Sequence, residues 1–149
     1  MQSKITNSKD FTIYKAAIGS PLPIPAFLVG VQAGFPSPAD DYIEKQLDLN
    51  DLVVKHPTAT FFVRVEGNSM RDAGILPGDI IVVDRSLEAA HDKIVVAVIN
   101  SEFTVKRIKI TPKGICLASE NPAFPNIEIS PECEFQVWGV VTYIIHKAN

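Results

Sequence analysis

The stretch that decides the fold reads Lys93-Ile-Val-Val-Ala-Val-Ile-Asn-Ser-Glu-Phe-Thr-Val-Lys-Arg-Ile-Lys-Ile110. Its first part, up to Asn100, is a short β-branched run typical of a buried strand. Asn100-Ser101 predicts a turn, and Glu102–Ile110 then alternates in side-chain character with the period of two that a strand requires. This stretch therefore predicts two consecutive strands joined by a tight turn.

Short strands of the same kind are predicted on both sides of this pair. Turn signals at Pro77-Gly78, Pro112 with Gly114, and Asn121-Pro122 separate them. The predicted strands are Phe61–Glu66, Asp79–Asp84, Gly114–Ala118, Ile127–Ile129 and Phe135–Ile145. Six or seven short strands with little helix predict a compact, mostly β domain that is partly closed on itself.

One or two short helices are expected just before this β region. Asp40-Asp41 predicts the cap of a short helix that runs through Tyr42 and Lys45. A second helical turn is predicted over Asp51–His56, because Pro57 would end it.

The first 38 residues differ in composition from the rest of the chain. They hold five of the eleven prolines and carry a local charge of +2, which leaves −5 on the remaining 111 residues. Pro21-Leu-Pro-Ile-Pro25 excludes a helix, and apolar residues such as Ile24 and Phe27 predict an extended segment that docks on this chain or a partner. A frayed terminus is the alternative for residues 1–15. We predict a flexible, proline-rich arm over 1–38 and a β domain over 39–149.

Composition excludes several classes of protein. Two cysteines, Cys116 and Cys133, are too few for a disulfide-stapled scaffold in a chain of 149 residues. The longest apolar run, Ile94–Ile99, is too short to span a membrane, and the first ten residues lack a signal-peptide pattern, so a cytoplasmic protein is expected. A net charge of −3 argues against direct, sequence-specific DNA binding.

No cofactor or metal signature is present in the sequence. His56, His91 and His146 are scattered, no Cys-x-x-Cys or His-x-x-x-His spacing occurs, and there is no phosphate-binding glycine loop. We therefore expect neither a metal site nor a cofactor.

Ser69 is the first candidate for chemistry. It lies in Glu66-Gly-Asn-Ser-Met-Arg-Asp72, directly after a predicted strand and a glycine. A tight turn there would expose the hydroxyl, and a helical turn starting at Met70 would direct backbone N–H dipoles toward a developing oxyanion. The alternative is an ordinary N-cap serine.

Lys106 is the second candidate. Strand alternation places it on one face with Thr104, Ile108 and Ile110, as the one charged residue of that face. Burial of a lysine among apolar residues should lower its pKa, a cost that proteins usually accept only for function. The alternative is a lysine that extends its charge to solvent from a strand edge. A neutral Lys106 could take the proton of Ser69 and make it a nucleophile without histidine.

Four motifs, in this order and spacing, resemble the LexA/UmuD family of self-cleaving proteins of the SOS response. They are Gln32-Ala-Gly-Phe-Pro-Ser-Pro38, Val65-Glu-Gly-Asn-Ser-Met-Arg-Asp-Ala-Gly-Ile75, Gly78-Asp-Ile-Ile-Val-Val-Asp84 and Phe103-Thr-Val-Lys-Arg-Ile108. The resemblance implies a mostly β catalytic domain that dimerises. It also implies Ser69 as nucleophile and Lys106 as general base, with cleavage of the arm between Ala33 and Gly34. The backbone N–H groups of Asn68, Ser69 and Met70 are the expected oxyanion donors.

The part of the chain before Ala33 indicates which branch of the family it resembles. Thirty-three proline-rich residues leave no room for a three-helix DNA-binding domain, so the chain resembles the UmuD branch rather than the repressors. That implies cleavage stimulated by RecA filaments on single-stranded DNA. It also implies a processed homodimer that serves the catalytic subunit of a Y-family translesion DNA polymerase. The alternatives are a non-cleaving dimeric partner of a polymerase or repressor, and a signal-peptidase-like hydrolase acting on other proteins.

Overall fold

A computed structural model describes residues 3–7, 11–27, 33–34 and 44–149. By internal contacts the chain forms two units, one of Met1–Ala17 with His56–Asn149 and one of Ile18–Lys55. The first unit therefore takes in the beginning of the segment that sequence composition assigned to the arm.

The first unit contains a nine-stranded antiparallel sheet. Its strands are β1 (Ser3–Asn7), β2 (Phe11–Lys15), β5 (Thr60–Val65), β6 (Ile80–Asp84), β7 (Ile94–Ile99), β8 (Glu102–Thr111), β9 (Gly114–Ala118), β10 (Ile127–Glu128) and β11 (Phe135–Ile145). Their spatial order is β1-β2-β5-β6-β11-β7-β8-β9-β10. The predicted strands and the mostly β fold class are confirmed, with boundaries that move by one residue at most.

The C-terminal strand β11 lies between β6 and β7 and pairs with both. Its register shifts next to Gly139, where the chain passes close to β6. A Cβ atom built on Gly139 would lie 2.5 Å from Cγ1 of Val83, so this position admits only glycine without a shift of its neighbour. The two halves of the sheet are thus joined through a strand that the chain supplies last.

Apolar side chains cover both faces of the central strands. Along β7, Val96 packs in one buried cluster with Val63, while Val95 and Ala97 pack in a second cluster with Ile108. Successive side chains of a strand point to opposite faces, so a continuous β-branched run fits a strand that is covered on both sides. This explains why the run from 94 to 99 does not alternate with polar residues.

The second unit holds a separate two-stranded sheet and one short helix. Strand β3 (Pro23–Phe27) pairs antiparallel with β4 (Glu44–Asp48), and α1 (Leu49–Val53) follows directly. The Asp48 side chain caps α1 by accepting a hydrogen bond from the Asn50 amide at 3.0 Å. The extended conformation predicted from the prolines is confirmed over β3.

Two helix predictions need correction. The helix expected to run through Lys45 is wrong at its end, because Glu44–Asp48 is a strand, while its start at Asp40-Asp41 lies outside the described residues. The second helical turn exists, but it spans Leu49–Val53 rather than 51–56. The capping carboxylate is that of Asp48, so the helix begins earlier than Asp51 implied.

The first strands pair with the body of the chain. β2 pairs with β5 and β1 pairs with β2, so residues 11–15 and 3–7 continue the large sheet rather than fray. Within the described part of the chain, no helix has the length and apolar content needed to cross a membrane.

Candidate active site

The loop between β5 and β6 carries Ser69. It is closed at its base by Asp79, whose backbone oxygen accepts from the Val65 amide at 2.9 Å and whose carboxylate accepts from the Leu76 amide at 2.8 Å. Met70 follows the serine and is only 2% exposed, within the core cluster of Val63 and Val96. The loop is therefore fastened at its base and at the residue next to Ser69.

Ser69 is not a helix cap. The single 3-10 turn of this loop spans Arg71–Ala73, its N-cap residue is Met70, and that cap has no side-chain hydrogen bond. The Ser69 hydroxyl instead accepts a hydrogen bond from a lysine. The alternative of an ordinary capping serine is wrong for this chain.

Lys106 reaches Ser69 from the middle of β8. Its Nζ atom lies 3.0 Å from Ser69 Oγ and 3.3 Å from the backbone oxygen of Val105. The lysine is only 7% exposed, and its strand neighbour across the β7–β8 pairing is the fully buried Val95. The lysine that extends its charge to solvent, the alternative for Lys106, is excluded by this burial.

The apolar surroundings of Lys106 do not extend along the whole of β8. Ile108 shares the buried face with Lys106, but Ile110 at the end of the strand is 43% exposed. Val105 is buried as well, because it points into the cluster on the opposite side of the sheet. Both faces of β8 are covered around Lys106, so the lysine has little access to solvent.

A cavity of about 160 Å³ opens beside the two residues. It is lined by Val65, Gly67, Asn68, Ser69, Met70, Phe103, Thr104, Val105, Lys106 and Phe124. The Phe103 ring packs edge-on against Trp138 at 5.8 Å between centroids, and the Arg85 guanidinium lies 4.5 Å from the Trp138 ring. The cavity is small and mostly apolar, and the hydroxyl and the amine meet at its wall.

Asn68, Ser69 and Met70 line the same cavity, and each carries a backbone N–H group. Across residues 3–7, 11–27, 33–34 and 44–149, none of these three N–H groups donates to a protein acceptor. Backbone amides that have no protein acceptor and lie next to a nucleophilic hydroxyl can stabilise negative charge that develops on a substrate oxygen. Their role as oxyanion donors remains a prediction.

Two residues at this site were missed by the sequence interpretation. The Glu120 amide donates to the Ser69 backbone oxygen at 2.9 Å, and the buried Asn121 side chain donates to the Asn68 backbone oxygen at 2.8 Å. The sequence signal at this place is Asn121-Pro122, which predicts a turn between strands but no contact with Ser69. A polar residue in a turn gives no indication from sequence of which distant loop it contacts.

Ala33 and Gly34, the predicted cleavage residues, belong to the second unit. Both are exposed and lie in a bend, and among the described residues other than its chain neighbours no atom lies within 4 Å of a Cβ built on Gly34. The residues on either side, 28–32 and 35–43, lie outside the described part of the chain. An exposed bend of small residues is accessible, as a cleavage site must be.

The histidines pair with aspartates rather than with one another. His56 Nδ1 lies 2.6 Å from Asp84 Oδ2, and His146 Nδ1 lies 2.5 Å from Asp79 Oδ1. Burial opposes the charge on Asp84, but hydrogen bonds from Ser86 and His56 outweigh it and hold the pKa of Asp84 below its ordinary value. Among the described residues, no group of three or more His, Cys, Asp or Glu side chains is placed to hold a metal ion.

Comparison with known proteins adds the family. A family model described as peptidase S24-like matches residues 25–142. Protein MucA of Salmonella typhimurium is 50% identical over 121 residues, which are 80% of this chain and 82% of that protein. Protein SamA of Salmonella typhimurium is 48% identical over 125 residues, 84% of this chain and 86% of that protein. The LexA repressor of Cupriavidus taiwanensis is 43% identical over 123 residues, 82% of this chain and 56% of the repressor. The chain therefore belongs to the peptidase S24-like family of LexA/UmuD-type serine peptidases.

Proposed function

We propose that this chain cuts its own N-terminal segment between Ala33 and Gly34, with Ser69 as nucleophile and Lys106 as general base. The observation that carries the proposal is the 3.0 Å contact between Lys106 Nζ and Ser69 Oγ at a lysine that is 7% exposed. A neutral amine in hydrogen-bond contact with a hydroxyl is the arrangement that serine–lysine catalysis needs.

The proposed chemistry has two covalent steps. Lys106 accepts the hydroxyl proton as Ser69 Oγ bonds to the Ala33 carbonyl carbon, and the amides of Asn68, Ser69 and Met70 bind the resulting oxyanion. The bond between Ala33 and Gly34 then breaks, and Lys106 returns the proton to the Gly34 nitrogen. Lys106 then takes a proton from water as the water oxygen bonds to the Ala33 carbonyl carbon; the ester bond to Ser69 Oγ breaks, and Lys106 returns the proton to that oxygen.

The protonation state of Lys106 gives the proposal a pH dependence. Only a neutral amine can accept the serine proton, and an exposed lysine with a pKa of roughly 10.4 is almost entirely charged at pH 7. The rate of spontaneous cleavage should therefore rise between pH 7 and pH 10.

The biological role is proposed from the family. In the LexA/UmuD family, RecA filaments on single-stranded DNA promote self-cleavage, and we propose the same stimulus here. The processed homodimer, residues 34–149, would then serve the catalytic subunit of a Y-family translesion polymerase in the cytoplasm. The coverage of the relatives supports the UmuD branch, since the match spans more than four-fifths of MucA and SamA but 56% of the LexA repressor.

The direct test weighs the products of purified protein kept at pH 10 without RecA. Fragments 1–33 and 34–149 are expected from the wild type, and an intact chain from Ser69→Ala and from Lys106→Ala. Matched controls are Ser130→Ala and Lys109→Ala, which remove an exposed serine and a lysine that forms an ion pair with Asp92. Both controls should be cut at the wild-type rate.

An intact wild-type chain at pH 10 would instead support the alternative, a non-cleaving dimeric partner of a polymerase or repressor. Cleavage of an added unrelated protein, with the arm left intact, would support a signal-peptidase-like hydrolase. Either result would remove the self-cleavage proposal.

A further inference from the structure

The segment between β9 and β10 contacts the Ser69 loop at three points. We propose that Glu120 and Asn121 are positioning residues that hold Ser69 Oγ within hydrogen-bond distance of Lys106 Nζ. The proposal rests on the proposed function and names two residues that act through Ser69 rather than on the substrate.

The backbone contacts of Glu120 bracket the nucleophile. Its amide donates to the Ser69 backbone oxygen at 2.9 Å, and its own backbone oxygen accepts from the Asp72 amide at 2.7 Å. Ser69 and Asp72 lie on either side of the start of the 3-10 turn over Arg71–Ala73. The turn that follows the serine is therefore held by a neighbouring segment as well as by its own hydrogen bonds.

The side chain of Asn121 completes the attachment at the residue before the nucleophile. Nδ2 donates to the Asn68 backbone oxygen at 2.8 Å, while Oδ1 accepts from the Ala123 amide at 3.0 Å. Asn121 is only 6% exposed, so water is a poor substitute for either bond. An asparagine suits this position, because its amide carries the donor and the acceptor on two separate atoms.

The side chain of Glu120 closes the connection to the base. It forms an ion pair with Arg107, the residue that follows Lys106 on β8. Arg107 is also held by a hydrogen bond to the Asp92 backbone oxygen at 2.5 Å. One residue, Glu120, is thus bonded through its backbone to the nucleophile and through its carboxylate to the strand of the base.

The contacts of Glu120 and Asn121 limit how far the Ser69 loop can move relative to strand β8. Ser69 lies on a loop with no strand pairing of its own, whereas Lys106 lies within a paired strand. Unless the loop is tied to that strand, small movements of the loop would change the distance between Oγ and Nζ, and an error of about 1 Å in such a contact can lower a rate roughly 100-fold. Glu120 and Asn121 supply that tie.

The test compares Asn121→Ala with Asn126→Ala. Asn126 is an exposed asparagine of the same segment, and within the described residues its side chain accepts only from the Ser119 amide, at 3.1 Å. Self-cleavage rates from pH 7 to pH 11 are measured together with the folded fraction by circular dichroism. We expect Asn121→Ala to be cut about 10- to 100-fold more slowly while folded, with the pH midpoint of the rate shifted upward as water reaches Lys106. Asn126→Ala should match the wild type within about twofold.

A second variant covers the possibility that Asn121→Ala does not fold. Glu120→Ala removes a partly exposed carboxylate, leaves all backbone hydrogen bonds available and should slow cleavage several-fold. Cleavage of folded Asn121→Ala within twofold of wild type would overturn the proposal. So would a slower rate that the loss of folded protein, measured by circular dichroism, accounts for in full.

One further measurement separates this proposal from the proposed function. The pH midpoint at which Lys106 Nζ loses its proton can be measured by nuclear magnetic resonance without any cleavage. The measurement is made on wild type and on Asn121→Ala, each with and without Ser69→Ala. An intact wild-type chain at pH 10 would refute self-cleavage. In that case, an equal Lys106 midpoint in wild type and in Asn121→Ala would also refute the positioning role. A midpoint that is higher in Asn121→Ala than in wild type would support it.

Discussion

Replacing Lys106 by methionine should abolish cleavage and raise stability at the same time. The lysine is 7% exposed, and its ammonium has two described hydrogen-bond acceptors, Ser69 Oγ and the Val105 backbone oxygen. Methionine has a similar length and volume, so it fills the same space without a charge to desolvate.

The magnitude follows from two opposing contributions. Replacing a buried ion pair by apolar residues of similar volume is neutral or stabilising by about 1–4 kcal/mol, and this range is the upper limit for removing one buried ammonium. The lost hydrogen bonds to Ser69 and Val105 cost about 1 kcal/mol each. Part of that cost is recovered because Ser69 Oγ lines a cavity and can bond to water. We expect a net gain of about 1–2 kcal/mol in the free energy of unfolding, or roughly 3–6 °C in Tm for a chain of this size.

The assay is thermal unfolding at pH 7 of wild type, Lys106→Met and the matched control Lys109→Met. Lys109 lies on the same strand, but its side chain is 38% exposed and forms an ion pair with Asp92, so its replacement should change stability by no more than about 0.5 kcal/mol. The advantage of Lys106→Met should shrink as the pH approaches 10, because burial penalises only the charged amine. A Tm of Lys106→Met at or below that of wild type would refute the reasoning that this lysine is kept for chemistry at the expense of stability.

Three other predictions concern the fold that carries the site. Asp84→Asn should make stability less dependent on pH in the acid range. The pKa of Asp84 is lowered in the folded state, so its carboxylate stabilises the fold above about pH 4 and loses that contribution as the pH falls through the folded-state pKa. Urea unfolding between pH 6 and pH 3 will measure this dependence. Gly139→Ala should destabilise the protein by about 1–3 kcal/mol in denaturant unfolding, because its Cβ would lie 2.5 Å from Val83 Cγ1. Gly19→Ala should be neutral, since no atom of the described part of the chain lies within 4 Å of its Cβ. Gly78→Ala should cost about 1 kcal/mol in the same assay, since its φ is 90°, in the region that disfavours a side chain.

The sequence predicted the central strands because their signal is local. β-branched runs such as Ile94–Ile99 and the turn residues after them determine a strand without reference to the rest of the chain. The edge strand β1 was not predicted, since a polar strand such as Ser3–Asn7 is defined by the strand it pairs with. The strand β2 does carry a local pattern, Phe11–Lys15, which the sequence interpretation missed. The helix expected through Lys45 failed because pairing with β3 overrides a weak local helix signal.

The sequence likewise predicted some residues of the candidate site and missed others. Ser69 and Lys106 were identified from their own neighbourhoods and from family motifs, and the structure brings them to 3.0 Å. Asn121 was missed because its function in the structure is a contact across 53 residues of sequence, to the backbone of Asn68. Backbone acceptors have no signature in the sequence, so no motif could have indicated this partner.

The position of β11 between β6 and β7 has a consequence for the order of events during protein synthesis. Ser69 precedes β6 and Lys106 lies on β8, so the two belong to halves of the sheet that are joined by residues 135–145. A growing chain that has emerged from the ribosome only as far as Ile129 contains the arm, the serine and the lysine, but it lacks the strand that unites the two halves. We therefore expect the contact between Ser69 and Lys106 to reach its full stability only after β11 has paired with β6 and β7.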